Sequence, residues 1–500
     1  MMVVLRWLVW MVVLSPAAWW GWQALNAPPP ALVLDDGARL EWVDCWFDKP
    51  FWRPMHCGHF HTAPEPAASP AQFTLPVVYL PQYFWRRSVP PTLYIAGGPG
   101  GSAWLDPGQV GFWQHWVDQA DWPGDLVVYD QRGVGGSQPA IDCPELREQR
   151  RELLPLPLPT EESYRRMRDA TRACHDRLKS EGVDLHRFST EWNAADATDL
   201  MRAMGLAQWN VYGVSYGTRV ALEMMRRSPD SLRAVVLDST YPPEASAELS
   251  DAWLLERSFG LFARICDLAD ECSATPGELT QRLEDAFAHV ERESIKVSMR
   301  DPGTGKDIAV VYDHDDLAWL LFEALYQWDL IPNLPESVRA LIGGRLDSHM
   351  RGLIQDSVDT LLDDSVSDAV ASSVDCHDGG PIDQRDAERQ LQLYPRAAEI
   401  KRFDWQYHSC RFWDSGEAPA EFRTPVVSDV PTLLLAGEFD PVTPPEWAEQ
   451  AARHLSNAQL FVFPAVGHGV LDSHVCAADL VRNFFADPVR PQAPKCLGRL

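Results

Sequence analysis

Basic residues are scarce in this 500-residue chain. Its 44 lysines and arginines face 71 aspartates and glutamates, a formal net charge of −27. A surface of that sign repels a phosphate backbone, so nucleic acid is excluded as the main partner. The acidic balance otherwise serves solubility and names no partner. No repeat at a fixed period is present, which argues against a solenoid or propeller. No G-x-x-x-x-G-K-[ST] stretch occurs, and the glycine-rich loop at 97–102 does not match G-x-G-x-x-G, so a phosphate-cradling loop is excluded too. Charge is also missing from the start of the chain, where Arg6 is the only charged residue before Asp35.

That uncharged start has the pattern of an export signal. A short basic opening precedes an apolar run from Trp7 to Leu14 and then small residues. Ser15-Pro16-Ala17 or the region near Ala27 would be the cleavage site. The alternative is an uncleaved anchor, because Trp7 to Leu25 approaches the roughly 20 residues a span needs. Trp19, Trp20 and Trp22 would suit a membrane interface. Export gives the ten cysteines a meaning, since an even count in an oxidising compartment favours disulfides. About 945 connectivities are possible. The simplest joins neighbours in order: Cys45–Cys57, Cys143–Cys174, Cys266–Cys272, Cys376–Cys410 and Cys476–Cys496.

The whole chain is 46% hydrophobic, enough for a large core. Short β-rich runs at 73–80, 92–96, 125–130, 210–212 and 232–238 predict strands, separated by helical stretches such as 193–204. This alternation implies a mostly parallel sheet with helices on both faces. From Pro242 to Thr424 the text reads mainly as amphipathic helices, and alternation returns with PTLLLA (431–436) and LFVFP (460–464). The expected organisation is therefore a leader or anchor at 1–27, a first α/β part at 28–241, an inserted helical cap at 242–424, and a second α/β part at 425–500.

The chemistry centres on Gly213-Val214-Ser215-Tyr216-Gly217, between a strand and a helix. A serine there has the setting of a nucleophile elbow. Such a serine needs a base and an acid to orient it. Asp440 follows the strand PTLLLA, and His468 follows LFVFP. The order Ser, Asp, His, each past a strand end, is the one that the strand–elbow–helix arrangement requires. Gly97-Gly98-Pro99-Gly100-Gly101-Ser102 follows the strand at 92–96 and can bring amides close to a substrate oxygen. The amides of Gly98 and Tyr216 are the expected oxyanion donors.

Together GGPGGS, YDQRGVGGS (129–137), GVSYG, GEFDPVTPP and GHG resemble the proline iminopeptidase and tripeptidyl-aminopeptidase group of α/β-hydrolases. The resemblance covers about residues 75–240 and 425–500. VDCHDG (374–379) and the closing cysteines are similar to the secreted tripeptidyl-aminopeptidase branch. It implies an α/β-hydrolase fold and a serine exopeptidase acting on free N-termini, with Ser215, Asp440 and His468 as its triad and no cofactor. Ala96 departs from the group, whose members usually carry a histidine before GGPG.

An exopeptidase of this kind needs an anion for the substrate ammonium. Candidates are Asp378, the first choice from the CHD stretch, then Glu323, Asp375 and Asp329. Asp130 and Arg132 are expected to brace the loop near the site. His56, Cys57, His59 and His61 could suggest a metal, but Cys57 has a disulfide partner in Cys45 and no familiar ligand spacing is completed. Metal is therefore not expected, and Asp313 to Asp316 reads as a helix start. The expectation is an exported aminopeptidase with peptide partners, possible membrane contact through the N-terminal segment, and an open oligomeric state. A carboxylic-ester hydrolase with the same triad is the alternative, and a membrane-tethered binding protein with a vestigial triad is the rival of another class.

Overall fold

The computed structural model describes residues 27–49, 54–65, 71–83, 85–262, 264–265, 276–327, 329–380, 382, 384–395, 397–398, 409–490 and 496. The apolar N-terminal segment before Ala27 and the Cys266–Cys272 pair lie outside them.

Nine strands form one sheet: β1 (Arg39–Val43), β2 (His56–His61), β3 (Thr74–Leu80), β4 (Val89–Ile95), β5 (Gly124–Tyr129), β6 (Trp209–Val214), β7 (Leu232–Asp238), β10 (Thr432–Gly437) and β11 (Ala458–Phe463). Their spatial order is β1-β2-β3-β5-β4-β6-β7-β10-β11. β1 to β3 pair antiparallel, β3 meets β5 antiparallel, and the remaining pairs are parallel. β5 and β10 are buried at every residue, as expected of strands covered on both faces.

Alternate side chains feed two cores, because successive Cβ atoms point to opposite faces. Val127, Val211, Val235 and Leu434 pack with the helices Thr190–Ala203 and Tyr216–Arg227. Val128, Tyr212, Val236 and Leu435 pack with Gly111–Gln119 and Val475–Ala486. The chain runs from β4 to β5 on one side and returns to β6 on the other. The order reverses there, and ligands of open α/β sheets bind at such a crevice beyond the strand ends.

Between β7 and β10 lies a second hydrophobic cluster, built from Leu255, Phe262, Leu283, Leu317, Leu321, Val338 and Ile354, among others. Two details differ from the expected helical cap. The span contains a hairpin, β8 (Ile295–Arg300) and β9 (Asp307–Tyr312), paired antiparallel. In β8 buried and exposed residues alternate across a half-wet ladder, the period-2 pattern that a helical reading overlooks. The helix Asp368–Gly379 also falls within 242–424 by number, yet its Ala369, Val370 and Val374 pack into the sheet's own core.

The cysteine pairs 45–57, 143–174, 376–410 and 476–496 are disulfides. Asp313 caps the helix His314–Ala324, accepting the Asp315 and Asp316 amides, while the Asp316 carboxylate accepts the Asp313 amide. Among the described residues, no helix is long and apolar enough to cross a membrane.

Candidate active site

Ser215 directly follows β6 and caps the helix Tyr216–Arg227 at φ 56°, ψ −126°, outside the regions an L-residue prefers. The turn is so tight that its two glycines have no room for a side chain. A Cβ on Gly213 would stand 2.5 Å from the Gly217 carbonyl oxygen, and one on Gly217 would stand 2.2 Å from the Ile95 oxygen. The glycines therefore let the helix Tyr216–Arg227 start directly against β4. Gly217→Ala is expected to destabilise the fold by about 1–3 kcal/mol through overpacking and to slow labelling of Ser215. Gly260→Ala, at a helical position with open space around it, is the control, expected to be neutral or stabilising by up to about 1 kcal/mol. Thermal unfolding of the two variants checks this.

Asp440 and His468 meet past the ends of β10 and β11. His468 Nδ1 lies 2.9 Å from Asp440 Oδ2 and 3.1 Å from Thr443 Oγ1. Asp440 is fully buried and satisfied on every side. Its Oδ1 accepts the amides of Val442 (3.0 Å) and Thr443 (2.9 Å), and its Oδ2 accepts the Thr443 hydroxyl at 2.8 Å. Burial works against its charge, but the His468 charge and hydrogen bond and the Thr443 donors outweigh it, holding the carboxyl below its ordinary range. Burial likewise opposes an imidazolium at His468, yet the charge and hydrogen bond of Asp440, with Asp238 behind, raise its pKa above 6.5. A carboxylate only accepts, so Nδ1 carries the proton in the neutral ring and Nε2 is free to take one.

The inserted segment reaches the histidine directly. The Tyr326 carbonyl accepts the His468 amide at 3.0 Å, and the Tyr326 ring packs on the imidazole with centroids 4.9 Å apart. Gly467 permits this approach, since a Cβ there would lie 2.2 Å from the Leu325 oxygen.

The glycine loop passes alongside the serine: a Cβ on Gly97 would be 3.0 Å from Ser215 Cβ and 3.5 Å from its Oγ. Gly98 follows at φ +117°. The loop is held from both sides. Ser367 donates its amide to the Gly100 carbonyl (2.8 Å), and the Ser102 amide donates to the Ser365 carbonyl (3.0 Å). Asp130 accepts the Ala103 amide at 2.7 Å and the Gly136 amide at 2.8 Å, and burial pushes its carboxyl up to about 6 despite those bonds. Gln131 donates to the Ala96 carbonyl at 3.0 Å. Arg132 grips Asp196 with two 2.7 Å bonds and the Arg187 carbonyl with a third. Asp130 thus braces the end of the loop as expected, while Arg132 ties its own turn to Asp196 and to the Arg187 carbonyl.

Asp378 requires a correction. Its side chain is 0% exposed. It accepts the Thr190 hydroxyl at 2.5 Å and lies 3.1 Å from His377 Nδ1, and Thr190 Oγ1 also hydrogen-bonds the Tyr216 hydroxyl at 2.9 Å. A carboxylate so enclosed ties the helix Asp368–Gly379 to the elbow and is not free to meet an ammonium. Asp329 is exposed and Asp375 half-buried. Glu323 is half-buried, and the Tyr326 amide donates to its carbonyl, one turn from the ring on His468. Burial lifts its carboxyl to about 7, against a hydrogen bond from Ser357.

The histidines of β2 go to packing and pairing: His59 stacks on Trp46, and His61 Nδ1 lies 3.0 Å from Thr74 Oγ1. Among the described residues, the trio Cys143, Glu145 and Cys174 has ligand atoms within reach of one another, and its two cysteines are joined. Sequence reasoning passed over Thr443, Tyr326, Gln131 and Asp238. Only Gln131 and Thr443 carried a signal, as polar members of DQRG and DPVTPP.

Comparison with known proteins places this arrangement. Residues 90–261 match the family model described as alpha/beta hydrolase fold, and 400–496 match the model described as TAP-like protein. A tripeptidyl aminopeptidase of Streptomyces coelicolor is 26% identical over 453 residues, 87% of this chain and 81% of that protein. Serine protease Hip1 of Mycobacterium tuberculosis is 25% identical over 435 residues, 80% and 79% of the two chains. The putative hydrolase YuaR of Escherichia coli K12 is 23% identical over 500 residues, 92% and 93%. With its mostly parallel sheet and its serine turn at the switch point, the chain has the α/β-hydrolase fold, and its C-terminal region is similar to the TAP-like proteins.

Proposed function

We propose that this protein is an exported serine aminopeptidase that releases residues or short peptides from free N-termini. The observation that carries the reading is the 2.9 Å Asp440–His468 contact past the ends of β10 and β11, at the same C-terminal end of the parallel strands where Ser215 follows β6. The names of the two peptidase relatives favour peptides as substrates. Four disulfides among the described residues favour an oxidising compartment.

In this mechanism Ser215 Oγ attacks the scissile carbonyl as His468 Nε2 takes its proton. Asp440 holds the ring and stabilises the imidazolium. The amides of Gly98 and Tyr216 receive the oxyanion, Tyr216 from the start of a helix whose dipole favours negative charge. The intermediate collapses, His468 protonates the departing amine, and an acyl-serine remains. Water, with His468 as base, then releases the acid and restores the serine.

Glu323 takes the place first given to Asp378 as the anion for the substrate ammonium. Removing a hydrogen bond to a charged group costs about 1.5–3 kcal/mol. Glu323→Gln is therefore expected to lower kcat/KM for free-amine peptides by roughly 10–100-fold and to leave a neutral ester within about twofold. The carboxyl ionises above about 7 and a free α-amino group loses its proton near 8, so the preference for free amines should peak between them.

The decisive experiment uses matched fluorogenic peptides, one set free and one acetylated, beside a p-nitrophenyl ester. Cleavage of the free peptides alone supports the aminopeptidase. Ester turnover with neither peptide set cleaved overturns it in favour of an ester hydrolase.

A further inference from the structure

Asp238, the last residue of β7, lies between β6, which leads to Ser215, and β10, which leads to Asp440. Its carbonyl accepts the Ser215 amide at 2.9 Å. Its carboxylate faces the other way, toward the histidine loop. Oδ1 accepts the Val470 amide and Oδ2 the Leu471 amide, each at 2.9 Å, and the Tyr212 hydroxyl donates to Oδ2 at 3.0 Å. Next to it, Ser239 Oγ accepts the Gly469 amide at 2.9 Å. Val470 and Leu471 open the short helix that begins two residues after His468. One residue thus grips the nucleophile's main chain with its carbonyl and the base's loop with its side chain.

A carboxylate with 0% exposure is costly unless its lone pairs are filled, and here three donors fill them. We propose that Asp238 is a positioning residue whose ionised carboxylate fixes the His468 loop against the Ser215 elbow. This rests on the reading of Ser215 as nucleophile and His468 as base, and it is separate from the choice of substrate. Protonation would remove the charge that strengthens the two amide bonds and oblige the Tyr212 hydroxyl to turn from donor to acceptor, so the ties to Val470 and Leu471 weaken.

The groups facing Asp238 set when that happens. Tyr212 comes from β6, Tyr94 from β4, and His468 from its loop; Asp472 comes from the short helix, held by Trp116 Nε1 at 2.7 Å. Burial dominates and pushes the carboxyl up to about 6, with Asp472 adding to the rise and the two amides and Tyr212 opposing it. The brace is complete above that pH and weakens below it. His468, raised above 6.5 partly by Asp238 itself, must also be neutral to act. The acid limb therefore has two parts: a one-proton slope below the His468 pKa, steepening toward two protons below about 6.

The test is the rate of covalent labelling of Ser215 by a fluorophosphonate from about pH 4.5 to 9, with near-UV circular dichroism monitoring the fold. Wild type should show the two-slope limb. Asp238→Asn should label roughly 10–100-fold more slowly at its plateau, as a misplacement near 1 Å would cause. Its limb should keep a single-proton slope and move to lower pH, because the charge that raises His468 is gone. Loss of folded protein alone would lower labelling by one factor at every pH and overturn the proposal. If Asp238→Asn does not fold, Asp472→Asn decides: with its acidic neighbour neutral, Asp238 ionises more readily and the steepening begins at lower pH. A single-slope limb in wild type, or a steepening that Asp472→Asn does not move, sinks the inference alone. Absence of wild-type labelling removes the serine reading and the inference with it.

Discussion

Ser215→Ala should abolish turnover, with kcat falling by roughly 10⁵–10⁶-fold for any acyl substrate. The loss is this large because one bond-forming atom is removed while everything that serves it remains. Adding His468→Ala should therefore lower the rate little further, since the two side chains act as a unit. The variant should still fold. The contacts of Ser215 that hold the elbow are main-chain ones: its amide on the Asp238 carbonyl and its own carbonyl under the Thr218 amide and hydroxyl. Alanine keeps all of them. A melting temperature near that of wild type, with no hydrolysis and no fluorophosphonate labelling, is the expected result. Residual labelling at another residue would move the nucleophile elsewhere.

The parts of this site that were legible in the sequence are those written locally. LRAVVLD is a strand from Leu232 to Asp238 because an apolar β-branched run between turn residues has few alternatives. The elbow could be read because its requirement, two glycines around a serine, lies within five residues. The four described disulfides follow the neighbour-in-order pairing, each closing a short loop. What stayed hidden depends on burial or on contacts distant in the chain. Asp378 looked like a free charge until the helix Asp368–Gly379 was seen to press it onto Thr190, 188 positions away. Asp238 reads as a strand-ending aspartate, and its partners Val470 and Leu471 lie 232 and 233 positions on. The β8–β9 hairpin was missed for a different reason. Its strands are six residues each, too short for a period of 2 to outweigh the helical text on both sides.

Asp440→Asn should reduce kcat by about 10⁴-fold, or about 5 kcal/mol of transition-state stabilisation, and the geometry says why the near-isosteric amide fails. Two backbone amides, Val442 and Thr443, point at Oδ1, so that position must remain an acceptor. An asparagine is thereby forced to set its NH₂ where Oδ2 stood, facing His468 Nδ1 at 2.9 Å. A donor there selects the ring tautomer that accepts at Nδ1 and carries its proton on Nε2, the nitrogen that must be empty to receive the Ser215 proton. The Thr443 hydroxyl, 3.1 Å from Nδ1, has a lone pair to offer the correct tautomer, but a neutral hydroxyl is a weaker acceptor than the lost carboxylate and does not replace it. Its own removal in Thr443→Val should cost far less than the asparagine does. The pH profile separates the tautomer effect from misfolding. Asp440 is the main charge holding the His468 pKa up, so in the variant that pKa drops and the acid limb moves to lower pH even as the plateau collapses. A plateau within tenfold of wild type, with the limb unmoved, would mean that Asp440 does not orient His468 and that another acid serves the base.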